Sequence, residues 1–407
     1  MNKIKNDLFF LFYTLLLGAI VGAIICGFLK VMNLATNLLW EYLPEKAGFP
    51  LYTLIVCTVG GLLIGLWKKK FGDKPEELGT VIKKIKTDGR YSYSGIFPLI
   101  GSALFPLVLG ASVGPEAGLT GIISGLCTWV GDKLKKYSKD VEELTAMSVG
   151  ATLGTIFRSP MFGFIEPIES ERGKALPKRS KLVLYFAAIL SSFGTFVLIG
   201  ELLGMETGFE SLELGEIGPR ERLFALPMVI VGVAAGYAFF AFKKLCVAIN
   251  KKIGSFTVIK GAMGGLILGV CGTFLPLTMF SGEHQIPQVM EEYASLGVLL
   301  LVLTAFVKLL LTNVCIETGL KGGHFFPVIF SGICLGAAFA LAAGLNAVFC
   351  AAVVTSALVS HTLKKPFATV LLLMIVFPPS IIPIMLAAAA AAAFIPTPKI
   401  IAEIESE

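Results

Sequence analysis

Long runs without any charged residue dominate the chain. Asp, Glu, Lys and Arg are all absent from seven windows, at 8–29, 91–115, 182–200, 223–242, 261–282, 322–363 and 366–398. A helix needs about 20 apolar residues to span the ~30 Å hydrocarbon core of a bilayer, and these windows reach that length or exceed it. The pattern therefore predicts an all-α, polytopic membrane protein.

Some apolar windows do not have the length of one straight spanning helix. Windows 117–131 and 144–157 are short, whereas 322–363 is long and is interrupted by Pro327 and five glycines. Non-helical backbone at membrane depth is tolerated only where it is buried in protein or lines a polar cavity. We therefore expect tilted and broken helices.

Two of the interrupted segments resemble each other. Residues 110–125 have the sequence GASVGPEAGLTGIISG, and residues 319–336 have the sequence GLKGGHFFPVIFSGICLG. Each begins with glycines, passes one proline and continues into an apolar stretch rich in small residues. An alignment of Gly114 with Gly323 sets Glu116 opposite Phe325.

Paired interruptions of this kind are typical of transporters that are built from two inverted-topology repeats. They predict an N-terminal half at 1–200, a polar connection at 201–221 and a C-terminal half at 222–407, which together form a single transmembrane transport domain. The seven alanines 387–393 are expected to form a tightly packed helix.

Composition narrows the class of partner. Only 15% of the residues are charged, against about 25% in soluble domains. The net charge of +6 comes from short lysine clusters that flank the apolar windows, which is typical of a topology signal rather than of nucleic-acid binding. Lys3 and Lys5 precede window 8–29, which favours an uncleaved first helix. We expect a multi-pass protein of an inner or plasma membrane, in contact with lipid, with both termini cytoplasmic.

The eight cysteines and three histidines form no metal-ligand pattern. The cysteines lie mostly inside apolar windows without paired spacing, and the histidines, at 284, 324 and 361, are far apart in sequence. We expect buried cysteine side chains that behave as small hydrophobic groups, no metal site and no cofactor.

Glu116 is the candidate for chemistry, because a carboxylate at membrane depth is costly. The first backbone N–H groups of a helix are unpaired within the helix and can hold a dehydrated anion. A carboxylate at such a helix start can occupy the anion site and leave when it is protonated, although a plain helix cap is the alternative. The glycines at 110, 114 and 118 could equally serve helix packing.

At this point the chain resembles the CLC family of chloride channels and proton/chloride antiporters. Residues 112–118 (SVGPEAG) resemble the motif G-[KR]-E-G-P, with Glu116 at the gating glutamate. Residues 322–327 (GGHFFP) resemble G-G-x-F-x-P, whose backbone amides help to bind the anion, and residues 157–160 (FRSP) resemble F-N-x-P. The resemblance spans roughly residues 10–385 and implies a CLC-like fold and a homodimer with one pore in each subunit.

The chain departs from this family at several positions. Residues 72–76 (GDKPE) are the best counterpart of the motif G-S-G-I-P and lack its serine, and no tyrosine follows Tyr293 to supply the late tyrosine ligand. Ser170 aligns with the internal proton-relay glutamate of the antiporters, which leaves Glu166 and Glu169 as the nearby substitutes. Arg158 could instead pair with one of them and make the cluster structural, so we expect weak or absent coupling through either glutamate. His324 stands where fluoride-exporting members carry a glutamate.

The resemblance implies transport of a small inorganic anion, chloride or another halide, gated by Glu116 and in some members coupled to protons. Gly114 and Ala117 would form one anion-facing helix start, and Gly323, Phe325 and Phe326 would form the other. The alternatives are a fluoride/proton antiporter, an uncoupled anion channel and, more remotely, a transport-inactive scaffold. An intramembrane enzyme is not expected, because no nucleophile and base pair is evident. Lys308 and Glu317 are interpreted as interfacial or interhelical partners.

Overall fold

A computed structural model describes residues 2–48, 50–88, 90–133, 141–169, 179–205 and 211–397. Regular structure in this part of the chain is helical, which confirms the predicted all-α fold. The α-helices are α1 (Asn2–Asn37), α2 (Leu43–Ala47), α3 (Tyr52–Phe71), α4 (Leu78–Asp88), α5 (Ile96–Val108), α6 (Glu116–Lys133), α7 (Val141–Ile156), α8 (Pro160–Glu169), α9 (Arg179–Leu202), α10 (Pro219–Leu223), α11 (Ala225–Ile253), α12 (Thr257–Phe274), α13 (Ile286–Thr318), α14 (Phe325–Ala343), α15 (Ala347–Leu363), α16 (Pro366–Leu373) and α17 (Ile382–Phe394). Short 3-10 turns cover Pro276–Thr278, Glu283–Gln285 and Pro379–Ile381, and a π-helical turn covers Leu38–Tyr42.

Six helical segments of the described residues are long and apolar enough to cross a membrane. They are Leu11–Lys46, Leu182–Leu202, Ala225–Ile253, Thr257–Phe274, Glu283–Thr318 and Phe325–Ala343. Shorter apolar helices occur at Ile96–Val108, Met147–Ile156, Ala347–Leu363 and Pro379–Phe394. Half-length apolar helices alongside full spans are the mixture that the uneven windows predict.

The long windows are broken where glycine and an N-capping residue permit it. Window 322–363 forms α14 and α15, which are separated by Gly344 in the left-handed region (φ 64°). The side chain of Asn346 then accepts a 2.9 Å hydrogen bond from the backbone N–H of Phe349 and caps α15. A break that the sequence did not predict interrupts α13 at Gly297, where φ is 76° and ψ is 160°, a non-helical conformation that favours glycine.

The described chain forms two compact units, and each unit is built from three separate stretches of the sequence. The first unit comprises Met1–Ala35, Pro75–Leu104 and Pro115–Phe209, and the second comprises Thr36–Lys74, Phe105–Gly114 and Glu210–Glu407, as far as these are described. The predicted halves, 1–200 and 222–407, stay a prediction, because repeat symmetry and compactness are different properties. Residues 206–210 of the predicted polar connection lie outside the described residues.

Glycines let the helices of the first unit approach closely. A Cβ on Gly18 or Gly22 of α1 would lie 2.3 Å or 2.2 Å from a backbone oxygen of α9. A Cβ on Gly163 of α8 would lie 2.4 Å from the carbonyl oxygen of Gly150 in α7. Small residues at such crossings allow the backbone-to-backbone packing that associates helices in membranes.

Glycines also allow close helix packing in the second unit, where α14 is deeply buried. Gly61 of α3 and Gly261 of α12 each face the other's carbonyl oxygen, so neither has room for a side chain. Helix α14 is buried along nearly its whole length, and its Gly336 lies against the backbone of Ala351 in α15. In α17, Ala388, Ala389 and Ala392 are buried, which confirms the predicted packing of the alanine run.

Candidate functional site

An isolated antiparallel backbone bridge joins Gly114 to Gly323, both within the second unit. The N–H of each glycine donates to the carbonyl oxygen of the other, and both N···O distances are 2.8 Å. A Cβ on the neighbouring Gly322 would lie 2.5 Å from the Val113 side chain and 2.7 Å from the Gly114 carbonyl oxygen. Glycine at 322 is therefore a requirement of this close approach.

Each bridged glycine is followed two residues later by a helix. Helix α6 begins at Glu116 and helix α14 begins at Phe325, so the alignment of Gly114 with Gly323 is confirmed in register. The first i→i−4 hydrogen bonds also fall at matching positions, from Leu119 N–H to Pro115 and from Val328 N–H to His324. The two segments share one local structure in spite of their faint sequence similarity.

The three glycines of the first segment have three different roles. Gly110 is in the left-handed region (φ 79°) and ends the turn after α5. Gly114 forms the bridge, and Gly118 packs so closely that its Cβ would lie 2.4 Å from the Cβ of Ala103. Helix packing thus explains Gly118, whereas the other two serve the backbone path.

The predicted site residues at the helix starts are all deeply buried. Glu116 has no exposed surface, and Ala117, Phe325 and Phe326 are each at most 7% exposed. His324 precedes α14 and is half-buried, with its ring 5.2 Å from the ring of Phe325. Burial at 0% makes Glu116 a carboxylate of the protein interior.

Residues 157–160 form a tight connection between α7 and α8. Arg158 is in the left-handed region (φ 48°), and the N–H of Ser159 donates to the carbonyl oxygen of Gly154. Ser159 Oγ then accepts from the backbone N–H of Phe162 at 3.4 Å, and Pro160 occupies the first helical position.

Helix α8 carries both candidate proton-relay glutamates, Glu166 and Glu169. Glu166 is 4% exposed and Glu169 is half-buried in the last position of the helix. The helix begins at Pro160, a residue suited to a first helical position. Ser170 lies outside the described residues.

Lys308 of α13 is a buried amine that binds backbone carbonyl oxygens, so its interpretation as an interfacial residue is wrong. It has no exposed surface, and its Nζ lies 3.0–3.3 Å from the carbonyl oxygens of four consecutive residues, Leu277, Thr278, Met279 and Phe280. Nζ also lies 4.7 Å above the ring of Phe330. The N–H of Phe280 donates to Gly110, so Lys308 supports the turn that leads to the bridge.

The hydroxyl groups near the bridge bond to one another. Ser112 Oγ lies 3.2 Å from Thr312 Oγ1, and Thr312 Oγ1 donates to the carbonyl oxygen of Lys308 at 2.8 Å. Ser112 was not singled out from the sequence, although its place two residues before Gly114 is a usable signal. Glu317 accepts a 3.0 Å hydrogen bond from Asn250 of α11, which confirms its interpretation as an interhelical partner.

Comparison with known proteins gives the family to which this chain belongs. The model of the family described as voltage gated chloride channel matches residues 60–396, which is most of the chain. The chain belongs to this family, the CLC family. It is thus a multi-pass membrane protein of a family of ion channels and transporters, not an enzyme.

Relatives and solved structures agree with this assignment. The putative ion-transport protein YfeO of Shigella boydii serotype 4 (strain Sb227) is 24% identical over 336 residues, covering 79% of this chain and 76% of the relative. A slow cyanobacterial Cl⁻/H⁺ antiporter superimposes with a TM-score of 0.78 at 19% identity, covering 97% of this chain and 94% of the other. A CLC-type fluoride/proton antiporter superimposes with a TM-score of 0.73 at 19% identity, covering 94% of this chain and 93% of the other. The CLC-like fold is therefore confirmed.

Proposed function

We propose that the protein moves a small inorganic anion, chloride or another halide, across an inner or plasma membrane through a CLC-type pathway. Family membership supports transport of this kind, and the matched pair of glycine-bridged helix starts is the observation that carries it. Each start is buried and begins an apolar helix, which is the setting in which backbone amides hold a dehydrated anion.

The amides that follow each bridge are the proposed anion donors. Gly114 and Gly323 donate their own N–H groups to each other, so these two amides are already used in the bridge. The amide of Ala117 at the first start, and those of Phe325 and Phe326 at the second, precede the first i→i−4 bond of their helices. The helix dipole adds roughly half a positive charge at each start.

Glu116 is the proposed gate. It occupies the first position of α6, where its carboxylate is attracted to the same amides as a transported anion. When it is protonated it loses that attraction and leaves the site to the anion. Because the carboxylate is fully buried, its ionised form depends on these local donors, which links anion access to protonation.

Coupling to protons requires a second path for the proton, and Glu166 and Glu169 are the proposed carriers. The two lie three residues apart on α8, so their side chains share a face of the helix. Solved relatives include both a Cl⁻/H⁺ and a fluoride/proton antiporter, which keeps exchange with protons as the favoured mode. The other candidate functions are a fluoride/proton antiporter, an uncoupled channel and an inactive scaffold. We also propose that the protein is a homodimer and that both of its termini are cytoplasmic.

Anion flux from vesicles reconstituted with the purified protein tests the proposal. Glu116→Gln should flatten the pH dependence of flux and abolish proton coupling, whereas Glu116→Ala should leave the anion pathway open at every pH. Glu201→Gln, at an exposed end of α9, is the matched control. If both Glu116 variants keep the wild-type pH profile, Glu116 is only a helix cap.

A comparison of anions separates the remaining candidates. Fluoride, chloride, bromide and nitrate are supplied in turn, with and without an imposed proton gradient. Uphill movement of fluoride alone would support the fluoride/proton antiporter, and downhill flux without any uphill movement would support a channel. An absence of flux for all four anions would support the scaffold.

A further inference from the structure

A carboxylate shared by two lysines lies next to the second helix start. Asp73, in the loop after α3, contacts the ammonium of Lys68 through Oδ1, and Lys321 Nζ donates to its Oδ2 at 2.7 Å. Lys321 directly precedes Gly322, and the bridged Gly323 follows. All of these residues belong to the second unit.

Burial divides the cluster into fixed and displaceable members. The side chains of Lys68 and Lys321 are 9% and 19% exposed, whereas that of Asp73 is 60% exposed. The two lysine side chains are enclosed by protein over most of their surface, whereas an exposed carboxylate can rotate into water at little cost. The carboxylate is therefore the mobile partner.

The cluster of Lys68, Asp73 and Lys321 carries more positive than negative charge. Lys68 and Lys321 contribute two positive charges against one from Asp73, and Lys260 of α12 lies close enough to repel Lys68. Although burial raises the pKa of Asp73, the neighbouring Lys321 and Lys68 lower it overall, so the carboxylate is ionised at neutral pH. When Asp73 moves away, two neighbouring ammonium groups remain, and a small anion can take the place of the carboxylate between them.

The backbone is shaped to hold the Lys68 ammonium at this place. Gly319, after the end of α13, is in the left-handed region (φ 105°), and a Cβ there would lie 2.6 Å from Lys68 Nζ. Gly72, which directly precedes Asp73, also has a positive φ of 90°. A side chain at 319 would displace the ammonium, so the position of Lys68 depends on this glycine.

We propose that Lys68 and Lys321 form an anion-binding site whose resting ligand is the tethered carboxylate of Asp73. A small inorganic anion from the aqueous phase displaces the Asp73 carboxylate and pairs with both ammonium groups. It then moves to the start of α14, which follows Lys321. This site deepens the proposed function and rests on it. It makes Asp73 a second gate, separate from Glu116 and set in a different segment.

The test measures anion binding and flux in matched variants. Asp73→Asn keeps the shape of the side chain but removes the competing charge, so the apparent affinity for chloride or fluoride should rise at least about tenfold. Lys321→Met removes one cation and should lower that affinity about tenfold. Lys69→Met removes a lysine from the same helix end, where the side chain is exposed, and should change it less than about twofold.

Isothermal titration of the detergent-solubilised protein with sodium chloride or sodium fluoride gives the affinity, and vesicle flux gives the transport rate. An unchanged or weaker affinity in Asp73→Asn overturns the inference. If that variant does not fold, Lys321→Met alone decides: affinity equal to that of Lys69→Met overturns it. Wild-type protein that moves no anion would overturn the proposed function as well, whereas wild-type flux with unaffected binding in Asp73→Asn overturns only this second gate.

Discussion

Replacement of Lys308 by methionine should destabilise the protein by about 3 kcal/mol. Methionine keeps the length of the side chain but removes the amine that lies among four carbonyl oxygens. The carbonyls of Thr278 and Met279 would be left buried without this donor, and a buried unsatisfied group costs about 1–3 kcal/mol. The buried amine itself is costly to desolvate, and its removal returns part of that loss.

The unfolding free energy can be measured by titration with a denaturing detergent in mixed micelles. Lys244→Met is the control, since it makes the same change at an exposed position of α11 and should shift the value by less than about 0.5 kcal/mol. Hydrogen exchange should locate the effect, because the N–H of Phe280 donates to Gly110 and should exchange faster only in Lys308→Met. Equal stability of the two variants would refute the reasoning and show that carbonyl solvation of Lys308 contributes nothing net.

Five further substitutions test three separate parts of the structure. Gly322→Ala should lower the free energy of unfolding by about 1–3 kcal/mol through overpacking at the bridge. Gly194→Ala should raise it by about 0.5–1 kcal/mol, because Gly194 has open space around it. Thermal unfolding measures both changes. Asn346→Ala should cost about 1 kcal/mol by the same measurement, because it removes the N-cap of α15. Glu166→Gln and Glu169→Gln should each reduce uphill anion movement under an imposed proton gradient; undiminished movement in both would remove these glutamates from the mechanism.

The local structure of the paired segments was predictable because small residues leave few alternatives. Gly114 and Gly323 bridge with two 2.8 Å hydrogen bonds, a distance that a bulky residue at 322 would prevent. Proline follows the first bridged glycine and suits a helix that begins one residue later. Sequence spacing was therefore enough to predict the register of both helix starts.

The partners of charged residues were not predictable, because they come from segments far apart in the sequence. Lys308 binds carbonyls 28–31 residues away, and Lys321 binds a carboxylate 248 residues away. A lone lysine in an apolar stretch indicates that a partner exists, but backbone acceptors carry no side-chain signature. The break at Gly297 was also missed, since one glycine within a long apolar run is compatible with an unbroken helix.

The two helix starts differ in the number of amides that they can offer an anion. At the second start Pro327 has no N–H. Only Phe325 and Phe326 therefore offer a backbone amide before Val328 makes the first i→i−4 bond. At the first start Glu116, Ala117 and Gly118 all have an N–H before Leu119 makes the first i→i−4 bond, and the carboxylate of Glu116 stands at the same boundary. Under the proposed function, the start with more donors and its own carboxylate is the one suited to gating, whereas the start with fewer donors and no carboxylate would draw on charge from elsewhere. Lys321, two residues before Gly323, is the cation closest in sequence to that second start.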